Sequence, residues 1–513
     1  MKLLGSTRAF IARLGLGTGA CLLLSSVAMA DPTAALTASR LSGPAPLAVF
    51  FDATDTTDSD ASIDPFRQLG YYFDFDDPNS GTWQYSGKSK NIETGGPLAA
   101  HVFDEAGTYE VGLRAQNPNG STSDAWVTIT VEDPDITYAG TNTIVLSTGS
   151  DFTDAPAGAQ QLANVTSWPN FQSNKRYLLK AGDDFTALGQ LRVNRRSNFQ
   201  IGSFGDGTKP KVERVMLAMH VNDAANPAEN GVIQDLATES ILQHNMFNDL
   251  LVYENELISN SAYISFAGAV SWFADPTRRG NSSAEDWKHP GHIYLVENHL
   301  SSLGNPEQEN RIAGLAHHVA VLGNYSGLVR EHSVRLFGTY KSVVSHNKLT
   351  GPAILDSKHD LKVHANGLDE WPADHSLFVA GTNERILPAT RYVRINDNVF
   401  GRPDSPIDWH VQVAPQDDGS SGTVEGLRDV IVENNEYIDG NGNVGLERSL
   451  QTLGHNITER GNAIPTAWSD PITAKTYPSN YSDYSPLYTL FWHGPYFIDD
   501  VVPATSAPQR TTP

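Results

Sequence analysis

Residues 358–365, Lys-His-Asp-Leu-Lys-Val-His-Ala, hold two lysines, two histidines and an aspartate in eight positions. In an extended strand, successive side chains point to opposite faces. His359, Leu361 and Val363 then share an apolar face, and Lys358, Asp360, Lys362 and His364 share a polar one. Residues 331–338 (EHSVRLFG) have the same grammar 27 positions earlier. At that offset Glu331 meets Lys358, Ser333 meets Asp360, and Arg335 meets Lys362. A guanidinium grips a carboxylate through two parallel hydrogen bonds. An amine crowded by other cations loses its proton more readily and becomes a general base. Arg335, Lys362 and His364 are therefore candidate residues for holding an anion and moving a proton. Lys362 is the first candidate base and His364 the second. Lys341 or His332 is the candidate proton donor, although alternation puts His332 on the apolar face, where a packed core histidine is the simpler reading.

The neighbourhood extends this patch. An offset of 24 places Arg311 beside Arg335 and His317 beside Lys341. Arg311 is thus a second candidate for carboxylate binding. Downstream, DWHVQVAPQ offers Asp408, His410 and Gln412 outward, with Trp409 beside them. Arg311, Lys358, His410 and Trp409 are the candidate substrate-binding residues. Glu331 and Asp360 could hold calcium through oxygen donors, but two carboxylates alone make a poor site. The competing reading is a salt-bridged ladder on a solvent face, Glu331 with Lys358 and Asp360 with Lys362. Stacked like charges are destabilising without carboxylates or an anionic ligand between them.

The elements that position these residues follow a loose repeat. Short β-branched runs each end in asparagine: LLVYEN at Asn255, IYLVEN at Asn298, VAVLGN at Asn324, SVVSHN at Asn347, VRINDN at Asn398, VIVENN at Asn435 and ITERGN at Asn462. The gaps are 43, 26, 23, 51, 37 and 27 residues. Three of these fit one coil of a solenoid, 51 fits two, and 43 and 37 need an inserted loop. Asparagine suits a sharp turn of positive φ, and stacked amides can bond from coil to coil. With LRVNRRSNFQIGSFGDGTKPKV at 191–212, this pattern resembles a right-handed parallel β-helix, expected over 135–465. Residues 270–291 and 366–390 are candidate insertions, 466–513 a cap and tail, and the stretch from 503 onward is expected to be disordered.

Residues 31–134 are different in character. Short alternating runs separated by turns (PLAVFFDAT, GYYFDFDD, GTYEVGLRAQNPNGS, DAWVTITVED) predict a small β-sandwich. Gly43-Pro44-Ala45-Pro46, Phe51-Asp52-Ala53, Tyr72-Phe73-Asp74-Phe75, and His101 with Phe103, Gly107, Thr108, Tyr109 and Val111 give it a resemblance to the PKD domain. That module is immunoglobulin-like and common in secreted carbohydrate-active enzymes. FDFDDP stands here in place of the usual WDFGDG. The acidic loop 52–64 could ligate calcium, though a solvated loop is the simpler reading.

Bulk properties limit the function classes. Lys2, Arg8 and Arg13 precede an apolar run and Ala28-Met29-Ala30, the pattern of a secretory signal cleaved after Ala30. Removing residues 1–30 takes three cations and no carboxylate, moving the net charge from −23 to −26. Such a surface disfavours nucleic acid and anionic membrane as partners. Cys21, the single cysteine of the 513 residues, lies inside the signal, so the mature chain has no disulfide. No later stretch is long and apolar enough to span a bilayer. The expected location is secreted or periplasmic, and the expected state is monomeric.

The solenoid and its basic strand patch resemble, in the broad sense, the secreted β-helical polysaccharide lyases. That resemblance implies an anionic polysaccharide partner, with Arg335 or Arg311 on a uronate carboxylate and Lys362 or His364 as base. A hydrolase needs paired carboxylates. β-Helical pectin hydrolases carry an Asp pair before Gly-His-Gly and Arg-Ile-Lys, whereas here Asp417-Asp418 follows Arg394-Ile395-Asn396 and no Gly-His-Gly comes after it. A non-catalytic glycan-binding or adhesion protein would instead use Trp272, Trp287, Trp371 and Trp409. No motif resembles a nucleophile elbow, a zinc site or a phosphate loop.

Overall fold

The computed structural model describes residues 31–218, 228–244, 247–266, 291–314, 316–337, 339–351, 358–364, 390–403, 409–413, 427–438, 448–452, 455–465, 472–474, 496–498 and 506–509. The expected signal, the Asp417-Asp418 pair, Asp408, Trp272, Trp287 and Trp371 lie outside these residues, as does most of the expected cap. So do the expected insertions, except that Gly291 and Thr390 open strands. No helix among the described residues is long and apolar enough to cross a membrane.

The chain is nearly all β. The N-terminal part is a two-sheet sandwich. Thr37–Ala38, Leu47–Asp52 and Leu98–Phe103 form one sheet; Ser42–Pro44, Thr122–Glu132, Gly107–Gln116, Gly70–Asp74 and Ile92–Gly95 form the other. Leu47, Val49, Phe51, Phe73, Phe103, Val111 and Leu113 fill the space between them. In the acidic loop, Asp52, Asp60 and Asp64 accept hydrogen bonds from residues two positions on, so these carboxylates close their own turns.

The rest is a right-handed parallel β-helix of three sheets, with 13, 10 and 8 strands among the described residues. From Phe199–Phe204 to Arg448–Thr452 each coil contributes one strand to each sheet, and each strand pairs in parallel with its equivalent one coil later. Val, Ile, Leu and Phe side chains from all three sheets point inward into one continuous core. Stacking, not any single coil, provides the burial.

The seven asparagines form an unbroken ladder. Each of the first six donates its backbone N–H and its side-chain Nδ2 to Oδ1 of the next, at 2.8–3.1 Å, from Asn255 through to Asn462. Two expectations are corrected here. The left-handed residue is the one before each asparagine (Glu254, Glu297, Gly323, His346, Asp397, Asn434 and Gly461), and the asparagine itself turns inward. The gap of 51 is also one coil rather than two, because Asn347 bonds directly to Asn398. The extra length of that coil lies at 352–357 and 365–389.

The sandwich docks along the outer face of the 13-stranded sheet. In LAVFFD, Leu47, Val49 and Phe51 point into the sandwich, while Ala48 and Phe50 face the solenoid. With Trp83, Leu98, Ala100 and Val102 they pack on Leu251, Tyr253, Tyr294, Val296, Ala320, Leu322 and Val343. Burying a side chain as large as Phe50 or Leu98 contributes about 1.5–3 kcal/mol. Contrary to the expected disorder beyond 503, residues 506–509 lie on the sandwich. Ser506 Oγ accepts from Arg114 Nη1 at 2.9 Å, and the Gln509 N–H donates to Asp124 Oδ2 at 3.1 Å.

Candidate active site on the ten-stranded sheet

Strands His332–Phe337, Leu361–His364 and Trp409–Val413 are neighbours in the ten-stranded sheet. Val334, Leu336, Leu361, Val363, Val411 and Val413 are fully buried in the core. Alternation therefore turns the residues between them outward. Arg335, Lys362 and Gln412 are paired in that order across three coils, as Arg335↔Lys362 and Lys362↔Gln412. Arg335 and Lys362 are partly exposed, and His364 is buried beside them. Arg335 Nε donates to His364 Nε2 at 3.1 Å. The accepting nitrogen must carry a lone pair, so the His364 proton sits on Nδ1. Of the four candidate catalytic residues, the structure brings together Arg335, Lys362 and His364.

Lys341 stands elsewhere. It belongs to strand Tyr340–Ser345 of the 13-stranded sheet, and its ammonium lies 2.5 Å from Asp52 Oδ2 of the sandwich. Burial opposes its charge, but Asp52 outweighs burial and raises its pKa. An ammonium held in this way is not placed to serve Lys362.

The register also corrects the upstream reading. Ala313, not Arg311, is opposite Arg335, and Tyr340, not Lys341, is opposite His317. Arg311 is fully buried and donates to the carbonyls of Ala262 and Leu328 at 2.5–3.2 Å. It ties the corner between the eight- and ten-stranded sheets. Asp360 and His410 are likewise fully buried, with His410 Nδ1 2.6 Å from Asp360 Oδ2. Burial raises the Asp360 pKa above the usual carboxylate range. The expected Asp360–Lys362 bridge is thus replaced by Asp360–His410. The other expected bridge is present: Lys358 Nζ lies 3.3 Å from Glu331 Oε1. Glu331 and Asp360 turn to different partners, so the structure does not assemble them as a calcium pair. Trp409 is half-buried, edge-on to His359, and its carbonyl lies 3.1 Å from His359 Nδ1. His332 stacks on His359 with centroids 5.5 Å apart, a packed pair rather than a proton donor at the surface.

The three longest intervals between consecutive solenoid strands, 267–290, 365–389 and 475–495, all begin where a strand of the ten-stranded sheet ends: Tyr263–Phe266, Leu361–His364 and Ile472–Ala474. One of these intervals, 365–389, follows directly on the strand that carries Lys362 and His364. Extra loop length on a rigid scaffold is where binding function concentrates.

Sequence reasoning missed the charged seam under the sandwich. Arg394 and Glu433 are fully buried, with Arg394 Nε 2.6 Å from Glu433 Oε1 and Arg460 Nε 2.8 Å from Glu433 Oε2. Arg394 also reaches Glu93 at 3.0 Å and the Leu98 carbonyl at 2.9 Å. Gly95, at φ +128°, allows this approach, since a Cβ there would lie 2.3 Å from Glu433 Oε1. Burial works against the Glu433 charge, but Arg460 and Arg394 hold its pKa below the usual range. The signal was present in VRIN and VIVE, whose polar residues stand at positions where earlier coils have apolar ones.

Residues 33–131 match the family model of the PKD domain. No curated protein matches the chain. Among solved structures, the chain is similar to a GH136 lacto-N-biosidase from Eubacterium ramulus, at 9% identity and TM-score 0.35, over 70% of this chain and 68% of that one. It is also similar to the family 28 exopolygalacturonase of Yersinia enterocolitica, at 10% identity and TM-score 0.32, over 87% of this chain and 88% of that one.

Proposed function

We propose that the chain acts on an acidic polysaccharide and cleaves it by β-elimination next to a uronate. The observation that carries this reading is the pairing of Arg335 with Lys362 on the outer face of the ten-stranded sheet, with His364 holding the guanidinium. A chain of net charge −23 that gathers cations at one corner has a local attraction for an acidic polymer. The PKD-type sandwich fits a carbohydrate-active protein.

In this mechanism Arg335 takes the uronate carboxylate and stabilises the negative charge that develops on it as the α-proton leaves. The neutral amine of Lys362 accepts that proton. The C–H electron pair becomes the new carbon–carbon double bond, and the bond from the β-carbon to the glycosidic oxygen breaks. The departing oxygen takes a proton from water or from the ammonium just formed on Lys362. His364 is a positioning residue: it orients Arg335 and does not touch the sugar. Lys358 and Trp409, both toward the start of their strands, extend the binding surface in one direction.

The test is a panel of alginate, pectate and glucuronan, with and without calcium, read by the ultraviolet absorbance of the conjugated unsaturated uronate. Absorbance should rise with at least one polymer and stay flat with Lys362→Ala. A flat trace across the panel, with folded wild-type protein, sinks the elimination reading. New reducing ends without absorbance would mean hydrolysis. Retention of polymer without any cleavage would favour a binding protein, the reading to which the Glu331–Lys358 ion pair belongs.

A further inference from the structure

Three histidines outside this site meet where the sandwich crosses the 13-stranded sheet. The pairing Gly291↔His317 and Ile293↔Val319 puts His292 opposite His318 in adjacent coils. Both are left-handed, at φ +54°. A single left-handed residue in a strand makes a bulge that re-aims its neighbours. Alternation would send His317 and His318 to opposite faces, yet their Nδ1 atoms lie 2.7 Å apart. One ligand nitrogen from each of the three rings falls within 4.8 Å of the others.

The surroundings are built for this convergence. The His317 ring lies over Gly291, where a Cβ would come within 2.1 Å of it. Asp249 is the equivalent of His292 one coil earlier, and its Oδ1 lies 3.6 Å from His292 Nδ1. That oxygen is buried and accepts no hydrogen bond. Arg40 stands 3.5 Å from it but gives its short bond, 2.7 Å, to Asn230. Phe50 of the sandwich closes the site edge-on against His318 at 5.1 Å. Burial lowers the pKa of all three rings and so favours the uncharged form that ligates a metal.

A second cluster on the same seam shows the contrast. Glu93, His346 and Asp397 also converge, but His346 bonds to both Glu93 and Ser86, and Lys88 Nζ lies 2.5 Å from Asp397. A lysine ammonium already supplies the cation there.

We infer that His292, His317 and His318, with Asp249 as a fourth ligand, bind a single transition-metal ion, Zn²⁺ by ligand type, in the seam between sandwich and solenoid. Three imidazoles and one carboxylate suit zinc, whose Zn–N distance of about 2.0–2.1 Å is within reach of these nitrogens after small ring rotations. The ligands come from three coils, which is why no spacing in the sequence resembles a zinc motif. The inference is independent of the proposed polysaccharide chemistry.

The experiment uses the full chain, stripped with chelator and titrated with Zn²⁺ against a chromophoric competitor. One site per chain is expected, weakened at least about 100-fold in His318→Gln and in His292→Gln, since even outer-shell changes cost up to that much. His299→Gln, outside the cluster, should bind as wild type does. Zinc should raise the melting temperature of the wild type and not of the two ligand variants. X-ray absorption of the loaded wild type should show imidazole scattering, a readout that needs no variant to fold. Absence of stoichiometric binding, equal affinity in His318→Gln, or a zinc shell without imidazole would overturn the inference.

Discussion

Two of the three outer sheet faces of the solenoid use charge in opposite ways. On the 13-stranded sheet, Lys341, Arg394 and Arg460 each face a carboxylate, two of them across or along the seam with the sandwich, and the contacts are fixed and mostly dry. On the ten-stranded sheet, Arg335 and Lys362 stack cation on cation, and Arg335 donates to a histidine nitrogen. The first face is held by opposite charge. The second brings like charges together, which is stable beside an anion. A lysine on a β-helix strand therefore says little until the covering of its sheet is known: Lys341 and Lys362 have the same chemistry and different surroundings.

The largest effect that could break this comparison is on turnover. Lys362→Ala should lower the elimination rate by about 10²–10⁴-fold, the usual contribution of a general base, with an unchanged melting curve. Arg394→Ala should do the reverse, leaving buried Glu433 ion-paired with Arg460 alone and Glu93 with His346 alone. Denaturant unfolding should then show a loss of roughly 3–5 kcal/mol. Lys341→Ala removes one partly buried partner of Asp52 and should cost about 1–3 kcal/mol in the same assay, with the turnover of the folded enzyme retained. A loss of turnover in Lys341→Ala at full stability would erase the distinction between the faces. The smallest effect concerns pH. Burial, then the His359, Lys362 and Arg335 charges, hold the His332 imidazole well below its ordinary value. The unfolded chain protonates there near pH 6.5 and the folded chain does not, so stability should fall as pH drops below about 6.5. His332→Gln should flatten that slope in a pH series of melting temperatures.

Much of this was legible in the sequence because it depends on local rules. The asparagine-ended strands gave the solenoid, and the offset of 27 gave the correct Arg335↔Lys362 register. The offset of 24 failed because the two sheets step differently: Ala320↔Val343 spans 23 residues in one sheet, while Ile312↔Val334 spans 22 in the other. Lys341 was misplaced because alternation assigns a face within a strand and says nothing about which sheet the strand joins. The docking of the sandwich was readable in part. LAVFFD and LAAHVF are apolar almost throughout, the mark of strands buried on both faces, whereas a sandwich with one wet face should alternate. The histidine trio could also have been found, since the Asn298-to-Asn324 step of 26 sets His292 against His318.

The sandwich has one more consequence. A solenoid whose coils touch only their neighbours can fray from either end, one coil at a time. Here a second domain lies lengthwise against nine consecutive strands, from Gln200, bonded to the Ala45 carbonyl, to Arg460, bonded to the Arg67 carbonyl. It works like a splint: no spanned coil can open without releasing its hold on the same rigid body. Amide exchange along that sheet should therefore rise and fall as one block, where an unsplinted stack would show a gradient toward its ends.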